Sequence, residues 1–90
     1  MNDAQEFLLS KKTMQILSEI YKNNSNTYIA KLAKVSDTSY SHAVRVVSKL
    51  EKLGIIKTER VGRKAVVTLT EMGKELAEHI YEIFRISSIL

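Results

Sequence analysis

The spacing of apolar residues divides the chain into helical stretches and one stretch with a different period. Apolar residues recur every three or four positions along most of the sequence, which is typical of amphipathic helices. The pattern predicts helices over Lys11–Lys22, Tyr28–Lys34, about Ser39 to Leu53, and Glu71 to about Ser88. Between the last two helices, Ile55–Arg60 and Ala65–Thr70 are β-prone runs that predict two strands. Val61–Lys64 lies between these strands and supplies the turn of a hairpin.

Polar and small residues at the ends of these stretches support the same boundaries. Ser10, Thr27 and Thr70 each precede a predicted helix, where a hydroxyl can accept a hydrogen bond from the first turn. Gly54 follows the third helix, and glycine readily adopts the left-handed conformation that ends a helix. The polar run Asn23–Asn26 separates the first helix from the second.

The order of the elements is helix, turn, helix and hairpin, which is the layout of a winged helix-turn-helix. The turn is expected at Val35–Asp37, after a second helix that buries Ile29, Leu32 and Ala33. The expected apolar face of the third helix comprises Tyr40, Ala43, Val44, Val47 and Leu50. We therefore predict an α+β, mainly α fold with residues 1–90 in one domain. It contains a three-helix core, a two-stranded wing and a C-terminal dimerisation helix over about 71–90.

The composition excludes several kinds of site. The 90 residues include no cysteine, so neither a disulfide nor a thiolate zinc site can form. His42 and His79 are far apart and lack the spacing of metal ligands. We see no phosphate-binding glycine loop and no catalytic constellation, and we predict a protein that is not an enzyme and uses no cofactor or metal. Without a visible signal peptide or spanning segment, it is expected to be soluble and cytoplasmic.

Positive charge is concentrated in the middle of the chain. The net charge is +4, but residues 31–64 alone carry nine Lys or Arg against three acidic residues, a balance of +6. Residues 65–90 have a balance of −2. A basic block that coincides with a helix-turn-helix and hairpin indicates contacts with nucleic-acid phosphates. The alternative is a solvated, lysine-rich surface of an ordinary soluble protein.

A polar stripe runs along the third predicted helix, opposite its apolar face. The candidate DNA-binding residues of this stripe are Thr38, Ser39, Ser41, His42, Arg45, Lys49 and Lys52. Small side chains at the N-terminal end suit entry into a major groove, where Arg45 can pair with a guanine edge. Lys49 and Lys52 are expected to contact phosphate. The alternative is the solvated side of an amphipathic helix.

The hairpin tip adds three candidate DNA-binding cations. Gly62 permits a tight turn, and Arg63 and Lys64 project beyond the strands, with Arg60 beside them. Such a tip can follow a minor groove, because guanidinium is attracted to its negative potential. The alternative is a turn that charge merely keeps soluble.

The last helix carries more apolar residues than one small domain needs. Leu76, Ile80, Ile83, Ser87 and Leu90 have the four-three spacing of a short coiled-coil seam. The candidate dimerisation residues are Phe7, Leu8, Leu76, Ile80, Ile83, Phe84, Ile86 and Leu90. The alternative is a helix that is buried entirely within one monomer.

Residues 27–76 resemble the winged-helix domain of small prokaryotic transcription regulators, most closely the MarR type. The resemblance rests on Ile29–Ala33, Ser48–Ile56, Gly62–Lys64 and Leu69–Gly73. It implies a homodimeric regulator of double-stranded DNA with the third helix in the major groove and Arg63 on the wing. The chain lacks the aspartate that usually precedes the wing arginine, and it has little room for a ligand pocket. Any small-molecule effector is unknown.

The predicted function is sequence-specific binding of double-stranded DNA by a homodimer, with the recognition helix at about 39–53 and the wing at 60–65. Two alternatives remain from the sequence. One is an architectural DNA-binding protein of low sequence specificity. The other is a winged helix that binds proteins, with its basic face incidental.

Overall fold

The computed structural model describes residues 1–23 and 26–90; Asn24 and Ser25 of the predicted polar break lie outside the described residues. The elements are α1 (Asp3–Leu8), α2 (Lys11–Lys22), β1 (Thr27–Tyr28), α3 (Ile29–Val35), α4 (Tyr40–Lys52), β2 (Ile56–Val61), β3 (Lys64–Leu69) and α5 (Glu71–Ser87). Within this part of the chain the sheet has three antiparallel strands in the order β1-β3-β2. Buried apolar side chains of α2, α3, α4, β2, β3 and α5 meet in one core. The predicted mainly helical winged-helix fold is confirmed.

Strand β1 forms where the sequence predicted the cap and first residue of a helix. Thr27 was expected to cap a helix starting at Tyr28, but both residues form β1, in register with Val67 and Val66 of β3. Thr27 is buried and its Oγ1 has no hydrogen-bond partner among the described residues, so it does not cap the helix. Tyr28 instead occupies the cap position, with φ −120° and ψ 159°, and α3 begins at Ile29. The wing hairpin therefore belongs to a three-stranded sheet.

Both ends of α4 are fixed by local hydrogen bonds. At the start, the Oγ of Ser39 accepts a hydrogen bond of 3.1 Å from the backbone N–H of His42. At the end, Gly54 has φ +77° and its N–H bonds to the carbonyl of Glu51. The next N–H, from Ile55, bonds to the carbonyl of Leu50, which completes a Schellman motif. The predicted role of Gly54 is confirmed.

The buried face of α4 differs from the predicted one at its first turn. Ala43, Val47 and Leu50 are buried as expected, together with Val46. Tyr40, which was expected on this face, is 55% exposed. Side chains of a helix tilt toward its N-terminus, so the side chain of the first residue projects beyond the packed turns.

The hairpin is tighter than predicted. Val61 pairs with Lys64, so only Gly62 and Arg63 form the turn. Gly62 has φ +63° at the first central position, as a type II′ turn requires. The strands extend one residue further toward the tip than the sequence pattern indicated.

The start of α5 packs closely on the chain that follows α4. The Oγ1 of Thr70 accepts from the N–H of Gly73 at 3.1 Å and donates to the carbonyl of Gly54 at 2.7 Å. A Cβ atom built on Gly73 would lie 1.9 Å from the carbonyl oxygen of Ile55. Only glycine therefore permits this contact between the first turn of α5 and the start of the wing.

The buried side of α5 packs on α2. Ala77 and Ile80 are buried there, and the rings of Tyr21 and Tyr81 lie 5.3 Å apart. Ile80 was expected in an exposed dimer seam, but it is 3% exposed within the single chain. The placement of Ile80 in the seam was wrong, because the spacing of apolar residues does not show which side of a helix packs against the core of the same chain.

The short helix α1 lies outside the predicted helices. Asn2 and Gln5 form a reciprocal capping box at its start. Its Phe7 and Leu8 are half-buried against the core.

Of the helices described, none combines the length and apolar character needed to cross a membrane.

Candidate nucleic-acid interface

The exposed side of α4 carries unpaired positive charge. Ser41, Arg45, Lys49 and Lys52 are exposed there, and His42 is half-buried. Arg45 is exposed and its guanidinium makes no hydrogen bond or ion pair with any described residue, so its N–H donors are unoccupied. A guanidinium with its donors unoccupied can form two parallel hydrogen bonds to a planar acceptor.

The acidic residue of α4 is directed toward the wing. Glu51 accepts a hydrogen bond of 2.7 Å from the hydroxyl of Thr58 on β2. This bond ties the C-terminal half of α4 to the hairpin. It also engages the carboxylate, and the described part of the chain shows no ion pair between Glu51 and Arg45, Lys49 or Lys52.

Two predicted contact residues at the start of α4 have structural partners. The Ser39 hydroxyl caps the helix. The Thr38 hydroxyl lies 3.0 Å from the hydroxyl of Ser36, which is buried and donates to the carbonyl of Leu32. The hydroxyls of Thr38 and Ser39 therefore stabilise the turn and the start of α4.

A lysine that the sequence did not single out holds the same turn. The Lys12 ammonium on α2 donates to the carbonyl of Ser36 at 2.5 Å and lies 3.4 Å from that of Asp37. Asp37 has φ +54°, a left-handed conformation that aspartate tolerates better than most residues. No local signal marks Lys12, because its partners lie 24 and 25 residues away.

Two of the candidate cations lie over aromatic rings. The Lys49 ammonium is 4.6 Å from the ring centroid of Phe7 on α1. The Lys64 ammonium is 4.3 Å from that of Tyr28 on β1. Phe7, which was expected at a dimer contact, therefore lies beside the cationic side of α4.

The wing cations point in different directions. Arg60 pairs with Ala65, and two residues earlier Thr58 pairs with the buried Val67, so these share the inner sheet face. Lys64 is on the opposite face. Arg63 is at the tip, and all three cations are exposed.

The structure brings together part of the predicted dimerisation set. Leu8 and Leu76 line an apolar groove of about 330 Å³, together with Ala4, Leu53, Ile55 and Met72. Ile83 and Ile86 are more than half exposed on α5, and Leu90 is fully exposed. Phe84 lines a separate, more polar groove beside α2.

Over residues 1–23 and 26–90, no group of three His, Cys, Asp or Glu side chains is placed to hold a metal ion.

Residues 8–73 match the HVO_A0114 family. The chain belongs to this family. The match covers the span from the end of α1 to the first turn of α5.

Solved structures show the same fold. AF1382 from Archaeoglobus fulgidus superposes with a TM-score of 0.80 at 25% identity, over 94% of this chain and 97% of that protein. The MarR family transcriptional regulator SPO1453 from Silicibacter pomeroyi has a TM-score of 0.80 and 27% identity. That match covers 96% of this chain and 60% of the regulator, so the chain spans about three fifths of its length. Sso10a-2, a DNA-binding protein from Sulfolobus solfataricus, is 26% identical with a TM-score of 0.64, over 84% and 81% of the two chains. The MarR-like winged-helix fold is thereby confirmed.

Proposed function

We propose that the protein is a transcriptional regulator that binds double-stranded DNA sequence-specifically as a homodimer. The observation that carries the proposal is the exposed stripe of α4, where Arg45, Lys49 and Lys52 face solvent without an acidic partner in the described chain. The fold shared with a MarR family transcriptional regulator and a DNA-binding protein supports it. The proposal assigns no reaction to the protein, and its cytoplasmic location remains a prediction.

The order of side chains along α4 suits insertion into a major groove. In the first turn, Ser41 is short and exposed, which lets the start of the helix approach base edges, and His42 beside it can hydrogen-bond a base. Arg45 follows one turn later with its donors unoccupied and is the proposed base-reading residue, since arginine pairs bidentately with guanine. Lys49 and Lys52 lie nearer the C-terminal end and are proposed to contact phosphate.

The wing is proposed to lie on the flanking groove or backbone. Arg60 shares the inner sheet face with Thr58, which is bonded to α4, so it lies on the side of the wing nearest that helix. Arg63 and Lys64 are exposed at and beside the tip. Val61 and Gly62 precede Arg63, so the tip lacks a neighbouring carboxylate that would orient the guanidinium, which favours phosphate contacts over base reading.

The apolar face formed by α1 and α5 is proposed as the dimer contact. It combines the groove beside Leu8 and Leu76 with the exposed Ile83, Ile86 and Leu90. Soluble monomers rarely expose contiguous apolar patches above about 300–600 Å² unless these have a function. A two-fold dimer would present two α4 helices to DNA, roughly 34–36 Å apart if they enter successive major grooves.

Selection of bound sequences from random double-stranded DNA tests the proposal. We expect a pseudo-palindromic consensus whose half-sites are separated by about one helical turn. The variant Lys74→Ala removes one positive charge from α5, outside the proposed site, and should return the same consensus. Salt-dependent binding without enrichment would contradict sequence specificity and favour the architectural alternative. Absence of binding would favour the protein-binding alternative.

A further inference from the structure

We infer that Tyr28 and Phe7 are positioning residues that hold the ammonium groups of Lys64 and Lys49 in place for phosphate contact. The inference rests on the proposed function, because it assigns a role within DNA binding to two aromatic residues outside the basic stripe. It is carried by two contacts that lie on different elements, one at the wing and one at the recognition helix.

The contact at the wing follows from the register of the sheet. Tyr28 pairs with Val66, which is two residues from Lys64 on β3, so Tyr28 and Lys64 share the outer face. The Lys64 ammonium lies 4.3 Å from the Tyr28 ring centroid. Glu59 also pairs with Val66 and belongs to this face, yet Lys64 forms no ion pair with it. The aromatic ring of Tyr28, not the carboxylate of Glu59, is therefore the partner of this lysine.

In the contact at α4, the ring of Phe7 packs against the core. Phe7 is half-buried against the core through α1, so its ring has limited freedom. The Lys49 ammonium lies 4.6 Å from its centroid. By contrast, neither Lys52 nor Arg45 has an aromatic or acidic partner among the described residues. Lys49 and Lys64 are therefore each held over a ring, whereas Lys52 and Arg45 have no such partner.

A cation held over a ring is suited to phosphate contact. The ring contacts one side of the ammonium, and the N–H donors on the other side remain available to solvent or phosphate. A lysine that is free to move loses side-chain rotamer entropy when it is fixed. A lysine already ordered in the unbound protein loses less side-chain entropy when it binds, and this strengthens the complex without a new contact. Because a phosphate contact is independent of sequence, the gain should be equal on all DNA.

The Tyr28 contact gives the sharper test. We expect Tyr28→Leu to weaken binding about threefold per subunit on cognate and scrambled DNA alike, which matches the strength of an exposed cation–π contact. Tyr28→Phe keeps the ring and should bind like the wild type. In a Lys64→Ala background, Tyr28→Leu should have no further effect. A general disturbance of β1 would instead weaken binding in both backgrounds.

The Phe7 contact is tested with the matched cycle of Phe7→Leu and Lys49→Ala. Phe7 also packs on the core, so binding is measured well below the melting temperature of each variant. We again expect the effect of Phe7→Leu on DNA binding to disappear when Lys49 is alanine.

The inference is overturned if Tyr28→Leu binds like the wild type, or if its effect persists unchanged in the Lys64→Ala background. The same holds if Lys64→Ala itself leaves affinity unchanged, since there is then no contact to position. These outcomes differ from failure of the proposed function, in which the wild-type protein itself would bind no DNA.

Discussion

Helices α4 and α5 each bury an apolar face, but the exposed side of α4 is basic whereas that of α5 is apolar and acidic. On α4 the buried residues are Ala43, Val46, Val47 and Leu50, and the exposed side is polar with three cations and one acid. On α5 the buried residues are Gly73, Ala77 and Ile80, and the exposed side combines isoleucines with three glutamates. The core therefore accounts for the position of both helices, whereas their exposed sides distinguish their proposed partners.

The state of the cations strengthens this contrast. Both cations of α5 have acidic partners on the same helix, with Lys74 3.8 Å from Glu71 and Arg85 2.8 Å from Glu82. The hydrogen bond and charge of Glu82 raise the pKa of Arg85. The cations of α4 have no such partners in the described chain, so they can bind an external polyanion. Basic residues are therefore informative about binding only when neighbouring acidic residues leave them unpaired.

The largest expected effect comes from breaking the contact between the first turn of α5 and Ile55, which follows α4 in the chain. Gly73→Ala would place a Cβ atom 1.9 Å from the carbonyl oxygen of Ile55, so α5 must shift away from the wing. We expect a loss of about 3 kcal/mol or more in the free energy of unfolding, measured by urea denaturation. Gly62→Ala is the control: it has open space, and only its φ of +63° opposes alanine. It should cost about 1 kcal/mol; equal losses would contradict the close packing at Gly73.

The second prediction removes the apolar side of α5 while leaving α4 unchanged. We expect the double change Ile83→Ser with Ile86→Ser to convert a dimer into a monomer of 10.2 kDa in sedimentation equilibrium. DNA affinity should fall by about tenfold or more, because two linked recognition helices become independent.

Tyr40→Ser is the matched control for this variant. Tyr40 is as exposed as Ile83, at 55% against 54%, but it lies on α4. The dimer should persist in this variant. A wild-type protein that sediments as a monomer would remove α5 from the mechanism.

The third prediction concerns the wing and has the smallest effect on stability. Arg63 and Lys64 are exposed, and changing both to alanine should alter the free energy of unfolding by about 0.5–1 kcal/mol at most, chiefly through the contact between Lys64 and Tyr28. DNA binding at moderate salt should nevertheless weaken clearly, and equally on cognate and scrambled DNA. Filter binding and thermal unfolding measure the two effects. Full affinity in the double variant would restrict the interface to α4, and a loss confined to cognate DNA would show that the wing reads sequence.

Local signals predicted much of this molecule because their partners lie within a few residues. Gly54 ends α4 and Thr70 caps α5 through bonds that depend on adjacent backbone. Thr27 could not be placed from such signals, since its burial against β3 requires a strand 40 residues away.

The candidate site shows the same division. The helical period marked the polar stripe of α4, but it could not show that Ile80 faces α2 whereas Ile83 faces solvent. It also could not identify Lys12 or Tyr28, or place Phe7 beside Lys49, because their partners come from distant segments. The contact residues themselves remain a prediction that DNA-binding measurements must test.

Whether α4 reads sequence is tested most directly by how well the Arg45→Ala variant distinguishes cognate from scrambled DNA. Arg45 is the unpaired guanidinium of α4 and the proposed base-reading residue, so its loss should reduce discrimination by about 1–3 kcal/mol. Lys52→Ala removes the same charge about two turns later and should weaken both DNAs alike while lowering the salt dependence by about one counterion per contact. Titration of both variants against both DNAs at several salt concentrations gives the comparison. If Arg45→Ala weakens cognate and scrambled DNA equally, α4 does not read sequence through Arg45, and the central claim is contradicted.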